Sequence, residues 1–64
     1  MIEQIITHFN GQASLARVLD VDRSAVNQWL KTGKMPPYRA IQIEVVTKGK
    51  FKAVDIIAEG AKHE

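Results

Sequence analysis

Turn signals interrupt this chain so often that no stretch between them exceeds about three turns of helix, at about 3.6 residues per turn. The interruptions are Asn10-Gly11, Asp20-Val21-Asp22, Gly33, Pro36-Pro37 and Gly49. Each brings together residues that tolerate a left-handed backbone, end a helix or lack an amide proton. Five short segments remain, and their apolar residues recur at three- and four-residue spacing, the mark of helices with one buried face.

In the first segment Ile2, Ile5, Ile6 and Phe9 share a face. In the second, Leu15, Ala16 and Leu19 do so, while Gln12, Ser14 and Arg17 look outward. The third covers residues 23–31, with Ala25, Val26, Trp29 and Leu30 inward and Gly33 where a helix-ending glycine belongs. Asp22 precedes it as an N-cap whose carboxylate suits free amides and the positive end of the helix dipole. Pro37 suits the first turn of a fourth helix. That helix carries Ala40, Ile41, Ile43, Val45 and Val46, apolar almost all round, which predicts deep packing before Gly49 ends it. Phe51, Val54, Ile56 and Ile57 form a last segment that fits a helix, although its β-branched content also permits a strand. From Gly60 onward the chain reads as a polar, frayed tail. The expected organisation is one domain over residues 1–59, with a flexible tail at 60–64.

Sixty-four residues without cysteine leave neither a disulfide nor a thiolate metal site to reinforce a thin core. A chain this short buries only about 60% of the surface its unfolded form exposes. Helix packing, aided by a partner subunit, must supply the stability. No apolar run approaches the roughly 20 residues of a membrane span, and the start lacks the pattern of a signal peptide. A cytoplasmic protein is therefore expected. The net charge of +2 is modest, but its distribution is uneven. Lys31, Lys34, Arg39, Lys48, Lys50 and Lys52 fall in a stretch that holds a single acid, Glu44. Such a stretch attracts phosphate, or is simply a solvated face.

Chemistry of the catalytic kind finds no support. His8, Ser14 and Ser24 suggest no nucleophilic triad, and Asp20 and Asp22 fit turn and cap roles. His8 has no second ligand at metal-binding spacing. The expectation is a protein that is not an enzyme, with no cofactor, metal or small-molecule ligand.

The informative unit is the pair of short helices in residues 12–31. Two helices joined by so tight a turn cross steeply and need a small residue at the crossing, which Ala16 supplies. Leu15, Leu19, Val21, Val26 and Trp29 fill the junction, and Asp20 must accept an unusual backbone angle at the bend. Trp29, by its spacing with Val26 and Leu30, belongs to that core rather than to a base stack. The stretch Gln12-Ala13-Ser14-Leu15-Ala16-Arg17-Val18-Leu19-Asp20-Val21-Asp22-Arg23-Ser24-Ala25-Val26-Asn27-Gln28-Trp29 resembles the helix-turn-helix of phage and bacterial repressors. Asp20 departs from that pattern, which usually has glycine there, but Asp visits the left-handed region more readily than most residues. The following stretch, Met35-Pro36-Pro37-Tyr38-Arg39-Ala40-Ile41-Gln42-Ile43-Glu44-Val45-Val46-Thr47-Lys48-Gly49, is similar to the segment after the motif in the Cro repressors of lambdoid phages and related Cro/YdaS-like regulators.

That resemblance implies an all-α, lambda-repressor-like domain. It also leaves a C-terminal β-hairpin as the minority alternative, because Cro-like proteins have helical or strand-rich C-terminal halves. Its implied function is sequence-specific repression of transcription, by a homodimer that binds palindromic operator DNA and is weak without it. The third helix would expose Arg23, Ser24, Asn27, Gln28 and Lys31 to base edges in the major groove, where Arg pairs with guanine and Asn or Gln with adenine. Gln12, Ser14, Lys34, Tyr38 and Arg39 would meet phosphates. Two other readings stay open: an antitoxin-like, protein-interaction module built on the apolar segment from Phe51 to Ile57, and an activator of the same fold.

Overall fold

The structure, a computed structural model, describes residues 1–62. Five helices follow one another: α1 (Ile2–His8), α2 (Gln12–Leu19), α3 (Arg23–Thr32), α4 (Pro37–Val46) and α5 (Ala53–Ala61). Among the described residues there is no strand, so the β-hairpin alternative is not borne out and the C-terminal apolar segment is helical. Ile56 explains the outcome: it turns into the core at 2% exposure, with Ala53 and Gly60 beside it on one face of α5.

The core follows from the helical periods. Ile5, Leu15, Leu19, Val26 and Ile43 are the largest side chains fully removed from solvent. Ile2, Ala16, Trp29, Met35, Ala40, Ala53 and Ile56 complete the buried cluster, with Ile6, Phe9 and Leu30 half-buried against it. The closest pairings are α2 with α3 and α4 with α5; α1 lies on α2 and α3, and α2 also touches α4. Ala16 and Ala40, both buried, keep these short helices near one another.

Three helices end the same way. Asn10 (φ 68°), Asp20 (φ 58°) and Lys48 (φ 55°) all take the left-handed conformation. After each, two backbone amides turn back onto the helix: Asn10 and Gly11 onto Thr7 and Ile6, Asp20 and Val21 onto Arg17 and Ala16, Lys48 and Gly49 onto Val45 and Glu44. This is the Schellman arrangement, which satisfies carbonyls that a helix end would otherwise orphan. Lys48, rather than Gly49, therefore supplies the terminating residue of α4. Lysine has no short polar side chain to ease that angle. Lys48→Gly is expected to raise stability by about 0.5–1 kcal/mol, the relieved strain exceeding the lost chain entropy. In thermal denaturation this would appear as a rise in Tm of a few degrees.

Two sequence expectations change. First, α4 is not deeply packed: Ala40 and Ile43 are buried, but Ile41, Val45 and Val46 are 56%, 69% and 43% exposed. An apolar residue at nearly every position gives a helix no preferred side, so its neighbours decide how deep it sits. Second, α5 runs through Gly60 to Ala61, into the stretch read as the start of a tail. Gly60 is buried because α5 closes on the α3–α4 loop there. A Cβ on it would stand 3.4 Å from the Gly33 carbonyl oxygen and 3.5 Å from Lys34 Cα. Residues 63 and 64 lie outside the described part of the chain. The start of α5 is held by Glu44, whose Oε1 accepts the Ala53 amide at 2.8 Å.

Candidate nucleic-acid interface

The corner between α2 and α3 determines where α3 points. At its bend Asp20 is left-handed (φ 58°, ψ 49°), and the Val21 amide donates 2.9 Å to the Ala16 carbonyl. Leu15, Ala16 and Leu19 of α2 and Val26 and Trp29 of α3 are buried together. Asp22 occupies the N-cap of α3 with an extended backbone, but its carboxylate makes no capping bond. Its backbone carbonyl instead accepts the Ala25 amide at 3.0 Å. The sequence expectation of a side-chain cap is thus corrected, while a negative group still stands at the positive end of the helix.

With Val26 and Trp29 inward, the helical turn of about 100° per residue puts Ser24, Gln28 and Lys31 at the centre of the outer side. All three are exposed, as is Arg23, while Asn27 is half-buried at the edge. The five residues expected to face bases therefore lie along the open side of one helix. They carry a guanidinium, an ammonium, two amides and a hydroxyl, the groups that match donors and acceptors on base edges. Trp29 is 8% exposed and belongs to the core.

Gln12 and Ser14, both half-buried, open α2. Lys34, in the loop after α3, and Tyr38, at the start of α4, are both exposed. Thr32, absent from the sequence reading, extends α3 by one residue. Its hydroxyl donates to the Gln28 carbonyl at 3.0 Å and accepts the Lys34 amide at 3.2 Å, tying the loop to the end of the helix. Arg39 is engaged within the protein. Its Nη1 donates to the Leu19 carbonyl at 2.8 Å and to Gln42 Oε1 at 2.9 Å. The guanidinium also lies over the Tyr38 ring, 4.8 Å from its centroid.

A helix pair with a buried corner that displays one row of polar groups is a form that reads a DNA groove. Comparison with known proteins decides the family. Residues 2–61 match the family described as DNA-binding transcriptional regulator Cro. The chain belongs to that Cro family. The regulatory protein cro of Pseudomonas phage D3 is 39% identical over 56 residues, covering 84% of this chain and 75% of the relative. The regulatory protein cro of Salmonella phage P22 is 34% identical over 50 residues, covering 78% and 79%. No solved structure matches.

As a Cro-family chain, the molecule is a phage DNA-binding transcriptional regulator, and DNA is its partner. Its relatives carry regulatory names, not enzymatic ones. No helix among the described residues is long and apolar enough to cross a membrane. His8 is exposed at the end of α1, its ring edge-on to Phe9 and Phe51 at 5.0 and 5.5 Å, in an aromatic cluster of its own. Two contributors had no signal in the sequence pattern. Met35 joins the core although it sits in a proline-flanked loop, and Gln42 orients Arg39 from one turn further along α4. A three-residue spacing on a helix brings such a pair together, but nothing in the spacing says that their shared target is Leu19.

Proposed function

We propose that this Cro-family regulator is a repressor that binds palindromic operator DNA as a homodimer, with α3 in the major groove of each half-site. In this reading Gln28, Ser24 and Lys31 read base edges, joined by Arg23 and Asn27 at the margins. Gln12, Ser14, Lys34 and Tyr38 hold the flanking phosphates, whereas Arg39 turns its donor inward to Leu19 and Gln42. The observation that carries it is the exposed polar row on α3, held by a buried corner.

Dimerisation draws support from two apolar rows at the surface. Ile41 and Val45, 56% and 69% exposed, lie four positions apart on α4, and Val54 and Ile57 lie three apart on α5. Exposed apolar area of this kind marks an interaction surface. A single short helix reads only a few base pairs, so two copies on half-sites about one helical turn apart supply the remaining specificity. The protein would act in the cytoplasm of the bacterial host, at the nucleoid.

Selection from a random DNA pool followed by titration of the enriched sequence tests the reading. A palindrome bound at least about a thousandfold more tightly than random DNA is expected at physiological salt. Equal affinity for both would end it. Within the same assay, Lys34→Ala is expected to weaken every sequence by a similar factor and to reduce the slope of log K against log salt by about 0.9. The antitoxin-like reading would require the same apolar rows to hold a different protein. Sedimentation of a self-associating chain, with operator binding that follows the dimer, would argue against it.

A further inference from the structure

We infer that Arg39 is a positioning residue: from α4 it locks the C-terminal end of α2 and so sets the angle at which α3 meets DNA. The inference rests on the operator-reading role of α3 and extends it to a residue outside the helix-turn-helix.

The end of α2 has four carbonyls without partners inside the helix, those of residues 16–19. The amides of Val21 and Asp20 take up two of them, on Ala16 and Arg17. The carbonyl of Leu19, the last residue of α2, receives Arg39 Nη1 at 2.8 Å from twenty positions further along the chain. A fixed cation there also complements the negative end of the α2 dipole. It does so directly before Asp20, which carries the left-handed angle of the whole corner. Any rotation about that residue swings α3 relative to α2.

Arg39 is itself held from two sides. Gln42 Oε1 accepts a second hydrogen bond from the same Nη1 at 2.9 Å, and the Tyr38 ring covers the guanidinium face. The residue is half-buried, unlike the exposed Lys31 and Lys34. A side chain whose main purpose was to meet phosphate would need its donors turned outward. Here the best-placed nitrogen is spent on the backbone of the motif. Arg39 bonds α4 to α2, so the helix with the exposed apolar row reaches the bend of the motif through this guanidinium.

Three variants separate positioning from phosphate contact: Arg39→Lys and Gln42→Leu, which keep the charge of the contact, and Arg39→Gln, which removes it. If Arg39 positions, Arg39→Lys and Gln42→Leu lower the ratio of operator to random-DNA affinity by about fivefold or more, since misplaced bidentate contacts lose their discrimination. Arg39→Gln lowers it further and leaves the salt slope within experimental error of the parent. Hydrogen exchange on the DNA-free protein gives a readout independent of operator binding. The Val21 amide should lose protection by about tenfold in Arg39→Gln and Gln42→Leu, while Leu15, at the other end of α2, keeps its own. A general loss of stability would lower both amides together, and that result overturns the inference. So does a slope reduced by about 0.9 with the operator-to-random ratio unchanged, the signature of one lost phosphate contact. If Arg39→Gln does not fold, Gln42→Leu decides alone: parental values of the ratio and of Val21 protection refute the role. A parent protein with no operator preference would refute the repressor reading, and the exchange comparison would still judge Arg39.

Discussion

Leu19→Ala is expected to bring the chain close to unfolding at growth temperature. Leu19 is fully buried at the end of α2, among Leu15, Val26 and Ile43, and its carbonyl receives Arg39. Truncating a buried leucine costs about 2–5 kcal/mol, the larger values arising where neighbours cannot close the cavity. Here the neighbours sit on short helices pinned at both ends by turns, so about 3 kcal/mol is expected. A 64-residue domain has a total stability of roughly 3–10 kcal/mol. At about 4–8 °C per kcal/mol for a chain of this size, Tm should fall by about 12–24 °C. Far-UV circular dichroism on heating measures it. Val18→Ala, one residue earlier but 44% exposed, is the control and should move stability by about 0.5 kcal/mol or less. Equal shifts for the two variants would mean that α2 does not pack as described.

Gln28→Ala is expected to leave the fold intact and to remove sequence discrimination at one operator position. Gln28 is exposed on the open side of α3, and its backbone carbonyl accepts the Thr32 hydroxyl. One bidentate contact to a base is worth roughly 1–3 kcal/mol against the wrong base, or about 5- to 150-fold in affinity. Operator affinity should fall by that factor, affinity for random DNA should hardly change, and Tm should stay within a few degrees of the parent. Titrations against operators altered one base pair at a time would locate the relaxed position in each half-site. A loss shared equally by operator and random DNA would assign Gln28 to the phosphates and shift the reading face toward Ser24 and Lys31.

The two predictions divide between what is local and what is not. Gln28 was identifiable without coordinates, because the 3.6-residue period fixes each residue's angle around a helix once Val26 and Trp29 mark the inner side. The left-handed turn at Asp20 was legible for a similar reason: the tight connection between two amphipathic segments demands it. Leu19 belonged to the same pattern. In contrast, the exposure of Ile41, Val45 and Val46 could not be read, since an apolar side chain at nearly every position of α4 gives its period no direction. Met35 looked like part of a loop because its proline neighbours mask any period. Gly60 looked like the start of a tail, whereas it is buried where α5 closes on the Gly33 carbonyl.

By itself, the order of residues determined the first four short helices, their turns and the polar row on the third, since all of these depend on neighbours within about four positions along the chain. Tertiary structure alone decided how deep α4 lies, that α5 packs at Gly60, and that Arg39 turns inward to the end of α2. Each of those outcomes depends on groups far apart in the chain, and the free energy of their meeting is defined only once the helices have packed. The period of a helix says which way a side chain faces, but not what will be waiting there.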